Sequence, residues 1–378
     1  MKKTISGLLA AVMLLLLTVP VHAESLAVEA GAYLLMEKTT GQILYAVNEH
    51  EQLEPASVTK IMTILLVMEA IDAGSLRYDD VVTASAYACS MGGSQIWLKE
   101  NEQMTVEEML KAVCVASAND CSAALAEHLA GSADAFVEKM NQRARELGMN
   151  DTNFCNPTGL PASGHVTSAY DIALMSRELI LNHPDIRRFT TIWMDTLRNG
   201  EFGLSNTNKL IRFYQGATGL KTGSTDSALY CLSATAERDG MELIAVILKS
   251  PTSTQRFEGA KTLLNYGFAA YSLAEAQLPA PLQPIPVDLG DAPQVMPQLQ
   301  GDPTILAAKE KVNNMEVQVE LEEKLPAPVE AGQQVGKMTV TSSGEVLAEL
   351  PLTAERGVAR LTYWQILERC LRMAFMGG

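Results

Sequence analysis

Residues 54–60, with the sequence Glu-Pro-Ala-Ser-Val-Thr-Lys, lead into a segment, 58–71, that is apolar on nearly every side. A helix without a polar face belongs in the middle of a domain, because every side of it must be covered. Two polar residues open this helix: Ser57 at its start and Lys60 one turn later. Positions three apart share one helix face, so the amine of Lys60 can reach the hydroxyl of Ser57. The sequence therefore predicts a central helix that carries a serine–lysine pair.

Strand and helix patterns surround this central helix. Residues 30–36 and 42–47 are predicted strands, and residues 229–237 and 241–248 form a second strand pair around the turn Arg238-Asp239-Gly240. Helical spacing of apolar residues occurs at 105–116, 119–130, 133–147, 168–182 and 253–271. Hairpins mixed with helices predict an α+β fold, in which helices cover an antiparallel sheet.

The composition of the chain changes near residue 275. Prolines are frequent between 279 and 303, and short alternating runs follow at 317–321 and 337–340. This pattern predicts a small all-β domain joined by a stiff linker. We therefore expect a first domain at 24–275, a small β-sandwich-like domain at 276–356 and an amphipathic C-terminal helix at 357–378.

The C-terminal helix is predicted to have two different faces. Tyr363, Trp364 and Leu371 fall on one apolar arc, whereas Arg369 and Arg372 lie on the opposite, polar arc. An apolar face with aromatic residues and a basic polar face are typical of a helix that lies in a membrane surface. The alternative is a helix docked on its own β domain. We expect peripheral membrane contact, because the segment is terminal and basic in an acidic protein.

Residues 1–23 have the form of a secretory signal peptide. Lys2 and Lys3 precede the apolar run 7–17, and small residues end the segment at 21–23. The run is short for a membrane span and no stop-transfer charges follow it, so cleavage is expected rather than an uncleaved anchor. Loss of the two lysines moves the formal charge from -15 to -17. The mature protein is thus expected outside the cytoplasmic membrane, and its negative charge excludes nucleic acid as a partner.

Neither the six cysteines nor the histidines predict a metal or cofactor site. No cysteine pair has metal-ligand spacing, and the histidines left after cleavage (His50, His128, His165 and His183) are scattered. The sequence leaves the pairing of the cysteines open, and most are expected to be small buried hydrophobic residues.

Three short motifs follow one another in a fixed order along the chain. They are Ser57-Val58-Thr59-Lys60, Ser117-Ala118-Asn119 and Lys221-Thr222-Gly223, and each pattern occurs once. Each motif alone is weak, but together they occupy a buried helix start, a loop between two helices and the entry to a strand hairpin. Sets of this kind occur in class A β-lactamases and penicillin-binding proteins.

The chemistry of a serine nucleophile explains the first motif. A serine hydroxyl attacks well only when a base takes its proton. A lysine in an apolar helix loses hydration, which lowers its pKa and allows neutral Lys60 to act as that base. Ser57 at the helix start also benefits from the helix dipole, which favours developing negative charge.

The other two motifs supply groups that would contact the substrate and move protons. Ser117 can relay a proton between Lys60 and the leaving amine, and Asn119 can hydrogen-bond a substrate amide. Lys221 offers positive charge and Thr222 a hydroxyl. Gly223 is expected to let a substrate peptide lie close to the backbone as an added strand.

The chain resembles the low-molecular-mass penicillin-binding proteins of the D-alanyl-D-alanine carboxypeptidase (serine peptidase S11) family. The resemblance rests on residues 54–60, 116–120, 156–160 and 219–225. It implies a β-lactamase/transpeptidase-like first domain and a peptidoglycan stem peptide ending in D-Ala-D-Ala as substrate. Ser57 would form an acyl-enzyme that water hydrolyses, and β-lactam antibiotics would acylate the same serine.

The same resemblance implies further site residues. The backbone N–H groups of Ser57 and Ser224 would form the oxyanion hole. Arg256 would help to hold the terminal carboxylate of the substrate. Thr158 stands where some relatives carry a histidine, which leaves the activation of the deacylating water open, and His165 is interpreted as a loop residue.

Two other functions remain as alternatives. A serine β-lactamase shares the first and third motifs, but residues 154–170 contain no glutamate that would activate a deacylating water. A non-catalytic cell-wall binding protein would keep the fold, but the intact Ser57, Lys60, Ser117 and Lys221 argue against it.

Overall fold

The computed structural model describes residues 26–376, so the expected signal peptide at 1–23 lies outside the described residues. The strands of the first part of the chain are β1 (Ala32–Glu37), β2 (Ile43–Val47), β3 (Val81–Thr83), β4 (Gln103–Thr105), β5 (Met194–Leu197), β6 (Phe202–Ser205), β7 (Ala217–Thr225), β8 (Leu229–Arg238) and β9 (Met241–Ser250). The helices of this part are α1 (Lys60–Asp72), α2 (Ala86–Cys89), α3 (Val106–Ala116), α4 (Asn119–Ala130), α5 (Ala133–Glu146), α6 (Ala169–Asn182), α7 (Arg187–Thr190), α8 (Leu210–Phe213) and α9 (Ser253–Ala270).

A five-stranded antiparallel sheet with the order β2-β1-β9-β8-β7 lies at the centre of this part. Along β9, Ile244 and Val246 face the core that contains α1, α3, α4 and α6. Leu243 and Ala245 face the opposite core, against α9. Because both faces of the sheet are covered, β9 is apolar at every position from Leu243 to Leu248 instead of alternating. The predicted α+β fold with a helix-covered antiparallel sheet is confirmed.

The central helix α1 is buried as its sequence predicted. It contacts α4, α5 and α6, and its side chains from Lys60 to Leu65 are all buried. The edge strand β7 packs against the 3-10 turn Ala56–Thr59 that precedes α1. This packing brings the first and third motifs together.

The described cysteines form no disulfide. Cys114, Cys121 and Cys231 are buried, Cys89 is half-buried, and Cys155 and Cys370 are exposed. The three buried thiols pack in the core on the helical side of the sheet, as expected of small hydrophobic residues.

The remainder of the chain is mostly β-structure. Its elements are β10 (Tyr271–Glu275), β11 (Ile285–Asp288), β12 (Gln294–Val295), β13 (Pro297–Leu299), β14 (Thr304–Ala308), α10 (Lys309–Val312), β15 (Met315–Leu321), β16 (Leu325–Pro326), β17 (Gln334–Ser342), β18 (Glu345–Ala354) and α11 (Tyr363–Met376). Four strands form a sheet with the order β13-β18-β17-β15, and β10 pairs with β14. The expected all-β domain is therefore observed after β10.

The proline-rich segment is not a linker for most of its length. Pro286 lies within β11 and Pro297 opens β13, and both strands pair with neighbours. Because proline has no backbone N–H, it is tolerated at a strand end or at a position where an N–H would have no acceptor. Residues 276–284 separate β10 from β11 and are the longest stretch without a strand in this segment, so a linker is confined to them.

The helix α11 begins later than predicted. Residues before it are extended, with bridges between Val329 and Val358 and between Gly290 and Arg360. Thr362 and Gln365 exchange hydrogen bonds across the first turn, which makes Thr362 a capping residue and explains the start at Tyr363. No helix within residues 26–376 combines the length and the apolarity needed to cross a bilayer.

Candidate active site

Ser57 and Lys60 lie side by side at the start of α1. Ser57 is half-buried in the 3-10 turn, and the side chain of Lys60 is fully buried at the first position of the α-helix. Lys60 Nζ lies 2.8 Å from Ser57 Oγ and 2.6 Å from the carbonyl oxygen of Thr158. Two acceptors thus fix the amine beside the serine hydroxyl.

The surroundings of Lys60 favour its neutral form. Burial is the largest cause and holds the pKa of Lys60 well below its usual value, and the nearby charge of Lys221 lowers it further. The buried carboxylate of Asp120 opposes this shift only in part. A neutral amine at hydrogen-bond distance from a serine hydroxyl is the arrangement that general-base catalysis needs.

The second motif forms the corner between α3 and α4. Ser117 ends α3 in a left-handed conformation, with φ 62°, and its Oγ accepts a hydrogen bond of 2.8 Å from Lys221 Nζ. Asn119 begins α4 and donates from Nδ2 to the carbonyl of Gly92 at 2.6 Å. Among the described residues, the buried Oδ1 of Asn119 has no hydrogen-bond partner, so an acceptor is left for a ligand N–H.

The third motif lies on the edge strand β7. Burial lowers the pKa of Lys221 to about 7, and the charge of Arg256 adds to this effect. Thr222 Oγ1 donates to Thr207 Oγ1 at 2.7 Å. Ser224, two residues further, is exposed at the open side of the strand. Lys221 links this strand directly to Ser117, so the three motifs converge as predicted.

The packing of β7 adds a second reason for a glycine at 223. A Cβ at this position would lie 2.8 Å from the carbonyl oxygen of Pro55 and 2.9 Å from the backbone nitrogen of Ser57. The missing side chain therefore makes room for the turn that carries the serine, and the expected close approach of a substrate peptide stays a prediction. Any other residue at 223 would push β7 away from Ser57.

Arg256 is buried behind β7, on helix α9. Its Nη1 donates to the carbonyls of Gly223 and Cys231, at 3.0 and 3.1 Å. Nη2 donates to Ser253 Oγ, whereas the buried Nε has no partner among the described residues. Arg256 thus lies next to the third motif, and much of its hydrogen-bonding capacity is used by the protein itself.

The sequence analysis singled out residues 156–160 but did not show that this loop holds Lys60. Asn156 Oδ1 accepts hydrogen bonds from the backbone N–H groups of Thr158 and Gly159, and its Nδ2 donates to the Leu160 carbonyl. The carbonyl of Pro157 is bound by Thr63 on α1 and by Ser122 on α4. The Asn-Pro-Thr-Gly sequence indicates a turn. No sequence pattern shows which carbonyl of that turn faces Lys60.

His165 is a loop residue, as interpreted, but it is buried and fastens the loop to the turn with Ser57. The N–H of Cys155 donates to Nδ1, so Nε2 carries the proton and donates to Thr59 Oγ1 at 2.8 Å. Burial lowers the pKa of His165 to about 4, so the ring is neutral at neutral pH.

Gly159 makes the loop around Asn156 sensitive to substitution. Its φ is +80°, and a Cβ would lie 1.9 Å from the carbonyl oxygen of Ala56. We expect Gly159→Ala to reduce the free energy of unfolding by about 3 kcal/mol or more, because backbone atoms must move. We also expect it to slow acylation by penicillin, since the loop positions Lys60. Thermal unfolding and labelling with fluorescent penicillin measure the two effects.

Gly164→Ala in the same loop is the matched control. Gly164 has nearly the same φ, +79°, but the nearest atom to its Cβ would be 3.8 Å away. This variant therefore carries only the left-handed strain of about 1–2 kcal/mol. Equal effects of the two substitutions would show that the contact with Ala56 is unimportant.

Comparison with known proteins agrees with this geometry. The family model for D-alanyl-D-alanine carboxypeptidases (peptidase S11) matches residues 19–252, and the model for the C-terminal domain of penicillin-binding protein 5 matches residues 280–360. The D-alanyl-D-alanine carboxypeptidase DacF of Bacillus subtilis is 40% identical, over 98% of this chain and 98% of its own length.

Two solved structures extend the similarity to the fold. Penicillin-binding protein 5 from Haemophilus influenzae is 31% identical, covers 88% of this chain and 98% of its own, and superimposes with a TM-score of 0.81. Penicillin-binding protein D2 from Listeria monocytogenes in its ampicillin-bound form is 33% identical, covers 64% of this chain and 99% of its own, and gives a TM-score of 0.59. The chain therefore belongs to the D-alanyl-D-alanine carboxypeptidase family of serine hydrolases, the S11 peptidases.

Proposed function

We propose that this protein removes the terminal D-alanine from peptidoglycan stem peptides through an acyl-enzyme on Ser57. The observation that carries the proposal is the 2.8 Å contact between Ser57 Oγ and the buried amine of Lys60. Lys60 takes the hydroxyl proton as Ser57 Oγ bonds to the carbonyl carbon between the two D-alanines. The backbone N–H groups of Ser57 and Ser224 bind the oxyanion.

The same groups complete the reaction. The C–N bond breaks, and the leaving amine of D-alanine takes up the proton held by Lys60, with Ser117 as the relay. Among the described residues, the Ser117 hydroxyl pairs with Lys221 and not with Lys60. The relay therefore requires that hydroxyl to change partner when the substrate enters. Water then attacks the ester carbonyl and gives a proton to Lys60, which passes it to Ser57 Oγ as the ester C–O bond breaks and the shortened peptide leaves as a carboxylic acid.

Substrate binding is assigned to the second and third motifs and to the residues next to them. The C-terminal carboxylate of the substrate binds near Lys221, Thr222 and Ser224, and Arg256 adds positive charge from behind the strand. The unpaired Oδ1 of Asn119 accepts from a substrate amide N–H. The peptide backbone lies along the open edge of β7.

The proposed reaction is tested by the release of D-alanine from a pentapeptide ending in D-Ala-D-Ala. The wild type is expected to release one D-alanine per peptide, while Ser57→Ala releases none and a peptide ending in D-Ala-L-Ala stays intact. Rapid steady-state hydrolysis of nitrocefin with an intact pentapeptide would identify a β-lactamase instead. Intact pentapeptide together with no labelling by fluorescent penicillin would favour a non-catalytic binding protein.

We also propose that the protein is exported and contacts the membrane surface through α11. Tyr363 and Trp364 expose 73% and 74% of their surface, so the aromatic part of the apolar arc is uncovered. On the polar arc, Arg369 donates to the carbonyls of Gly290 and Asp291. Arg369 thus ties the polar arc to the β-structure, while the two aromatic rings stay exposed, as an interfacial helix requires.

Deleting residues 363–378 is expected to move the protein from the membrane fraction to the soluble fraction. Peptidase activity on a free pentapeptide should stay unchanged, because α11 is far from the three motifs in sequence and bonds to residues 290 and 291 instead. Replacing Tyr363, Trp364 and Leu371 by serine in the full chain should have the same effect, since it removes only the apolar arc. Membrane retention of both variants would contradict the assignment.

A further inference from the structure

A second groove lies beside the second motif, between residues 96–102 and the tip of the β5–β6 hairpin. It encloses about 650 Å³ and is lined by Trp97, Phe202 and several polar side chains. None of the catalytic steps proposed above uses these residues.

Arg198 joins the two walls of this groove. From the hairpin tip it donates to the carbonyl of Ile96 at 2.8 Å and to both carboxylate oxygens of Glu102, at 2.8 and 3.2 Å. Its guanidinium also lies 5.3 Å from the ring centroid of Phe202. The groove is thus held in shape before any ligand binds, which reduces the entropy lost on binding.

Trp97 is exposed although its neighbours are buried. Ile96 and Leu98 anchor the loop in the core, with exposures of 0% and 6%, whereas Trp97 exposes 67% of its surface. Its backbone is left-handed, with φ 62°, a conformation that is unfavourable for a bulky residue. Neither core packing nor the local backbone explains this tryptophan, so its open indole face is a candidate contact for a ligand.

The groove is connected to the active site through its loop. The N–H groups of Ile96 and Leu98 donate to the buried carboxylate of Asp120, which follows the second motif. The backbone N–H of Asn119 donates to the carbonyl of Ser94 at 2.7 Å. A ligand on Trp97 would therefore lie on the same loop that orients Asn119.

The lining indicates what kind of ligand the groove accepts. A flat indole face packs against the C–H face of a pyranose ring, and Lys99, Glu100 and Asn101 offer hydrogen-bonding partners for hydroxyl and acetamide groups. Two acidic and two basic side chains line the groove (Glu100, Glu102, Lys99 and Arg198), so it lacks the basic excess that attracts an anionic membrane surface. The negative charge of the chain likewise disfavours nucleic acid.

We propose that the groove is a subsite for the N-acetylated amino sugar to which the stem peptide is attached. The inference rests on the proposed function, because that substrate is a peptide borne by such a sugar. The enzyme would accordingly distinguish a stem peptide on its sugar from the free peptide.

Comparison of two substrates tests this subsite: the free pentapeptide and the same pentapeptide on its N-acetylated disaccharide. In the wild type, kcat/KM is expected to be about tenfold higher for the disaccharide form, as one good aromatic contact provides. Trp97→Ala should lose this advantage and keep the wild-type kcat/KM on the free pentapeptide. Trp97→Phe should retain most of the advantage. Phe213→Ala, which removes an aromatic residue that is 64% exposed outside the groove, should change neither rate.

Three results would overturn the subsite. The first is an equal kcat/KM of the wild type on both substrates. The second is an equal loss of kcat/KM on both substrates in Trp97→Ala. The third is a Trp97→Ala variant whose kcat/KM values equal those of the wild type. Quenching of tryptophan fluorescence by the peptide-free disaccharide, in the wild type and not in Trp97→Ala, tests sugar binding without catalysis. A wild type that binds the disaccharide but cleaves neither substrate would refute the proposed function and leave the subsite standing.

Discussion

Lys60→Met is expected to slow the acylation of Ser57 by about 10²–10⁴-fold, the range that a positioned general base contributes. Methionine keeps an unbranched apolar stem in the fully buried position but cannot accept a proton. Lys60→Arg should fail similarly, because a guanidinium remains charged. Stopped-flow labelling with fluorescent penicillin measures the rate, and thermal unfolding shows that each variant is folded.

The Lys60→Arg variant distinguishes a role of Lys60 as a base from a purely structural role as a hydrogen-bond donor. If Lys60 only tied α1 to the Thr158 carbonyl, arginine would preserve part of the activity by donating to the same oxygen. Acylation of Lys60→Met at the wild-type rate would contradict the role of the amine as base.

The second large effect is expected in the pH profile of kcat/KM, which reports the pKa values of the essential groups in the free enzyme. Burial lowers the pKa of Lys221 to about 7, so raising the pH above 7 removes the positive charge that the substrate carboxylate needs. Lowering the pH instead protonates Lys60, whose pKa is also depressed, and removes the base. We expect a bell-shaped profile. On its alkaline limb, above the pKa of Lys221, kcat/KM should fall by about tenfold per pH unit.

Lys221→Arg tests which lysine sets the alkaline limb. Arginine stays charged throughout, so the limb should disappear up to about pH 9 while the acid limb remains. Because the two lysines repel each other, the apparent pKa values belong to the pair, and removing one titration shifts the other. An unchanged alkaline limb in this variant would show that Lys221 does not titrate in that range.

Much of the fold was predictable, because the apolar pattern alone determines its main elements. The helices that were predicted at 105–116, 119–130, 133–147 and 168–182 are observed with ends shifted by one residue at most. The uninterrupted apolar run in β9 results from burial on both faces of the sheet. Periodicity alone does not distinguish such a run from a segment of a buried helix.

The convergence of the motifs was also predictable, but their detailed contacts were not. Lys60, Ser117 and Lys221 are side chains of distinctive chemistry, and sequence spacing reveals them. The carbonyl of Thr158 and the space at Gly223 depend on how distant backbone segments pack. The start of α11 was misplaced because the β-bridges of residues 358 and 360 compete with the helical pattern.

The most direct test of the account is mass spectrometry of the protein after reaction with a penicillin. One penicillin per chain is expected, bound to the side chain of Ser57 in the peptide that contains residues 54–60, and Ser57→Ala should carry none. A stable adduct on any other residue, or wild-type labelling of Ser57→Ala, would contradict the assignment of Ser57 as the nucleophile.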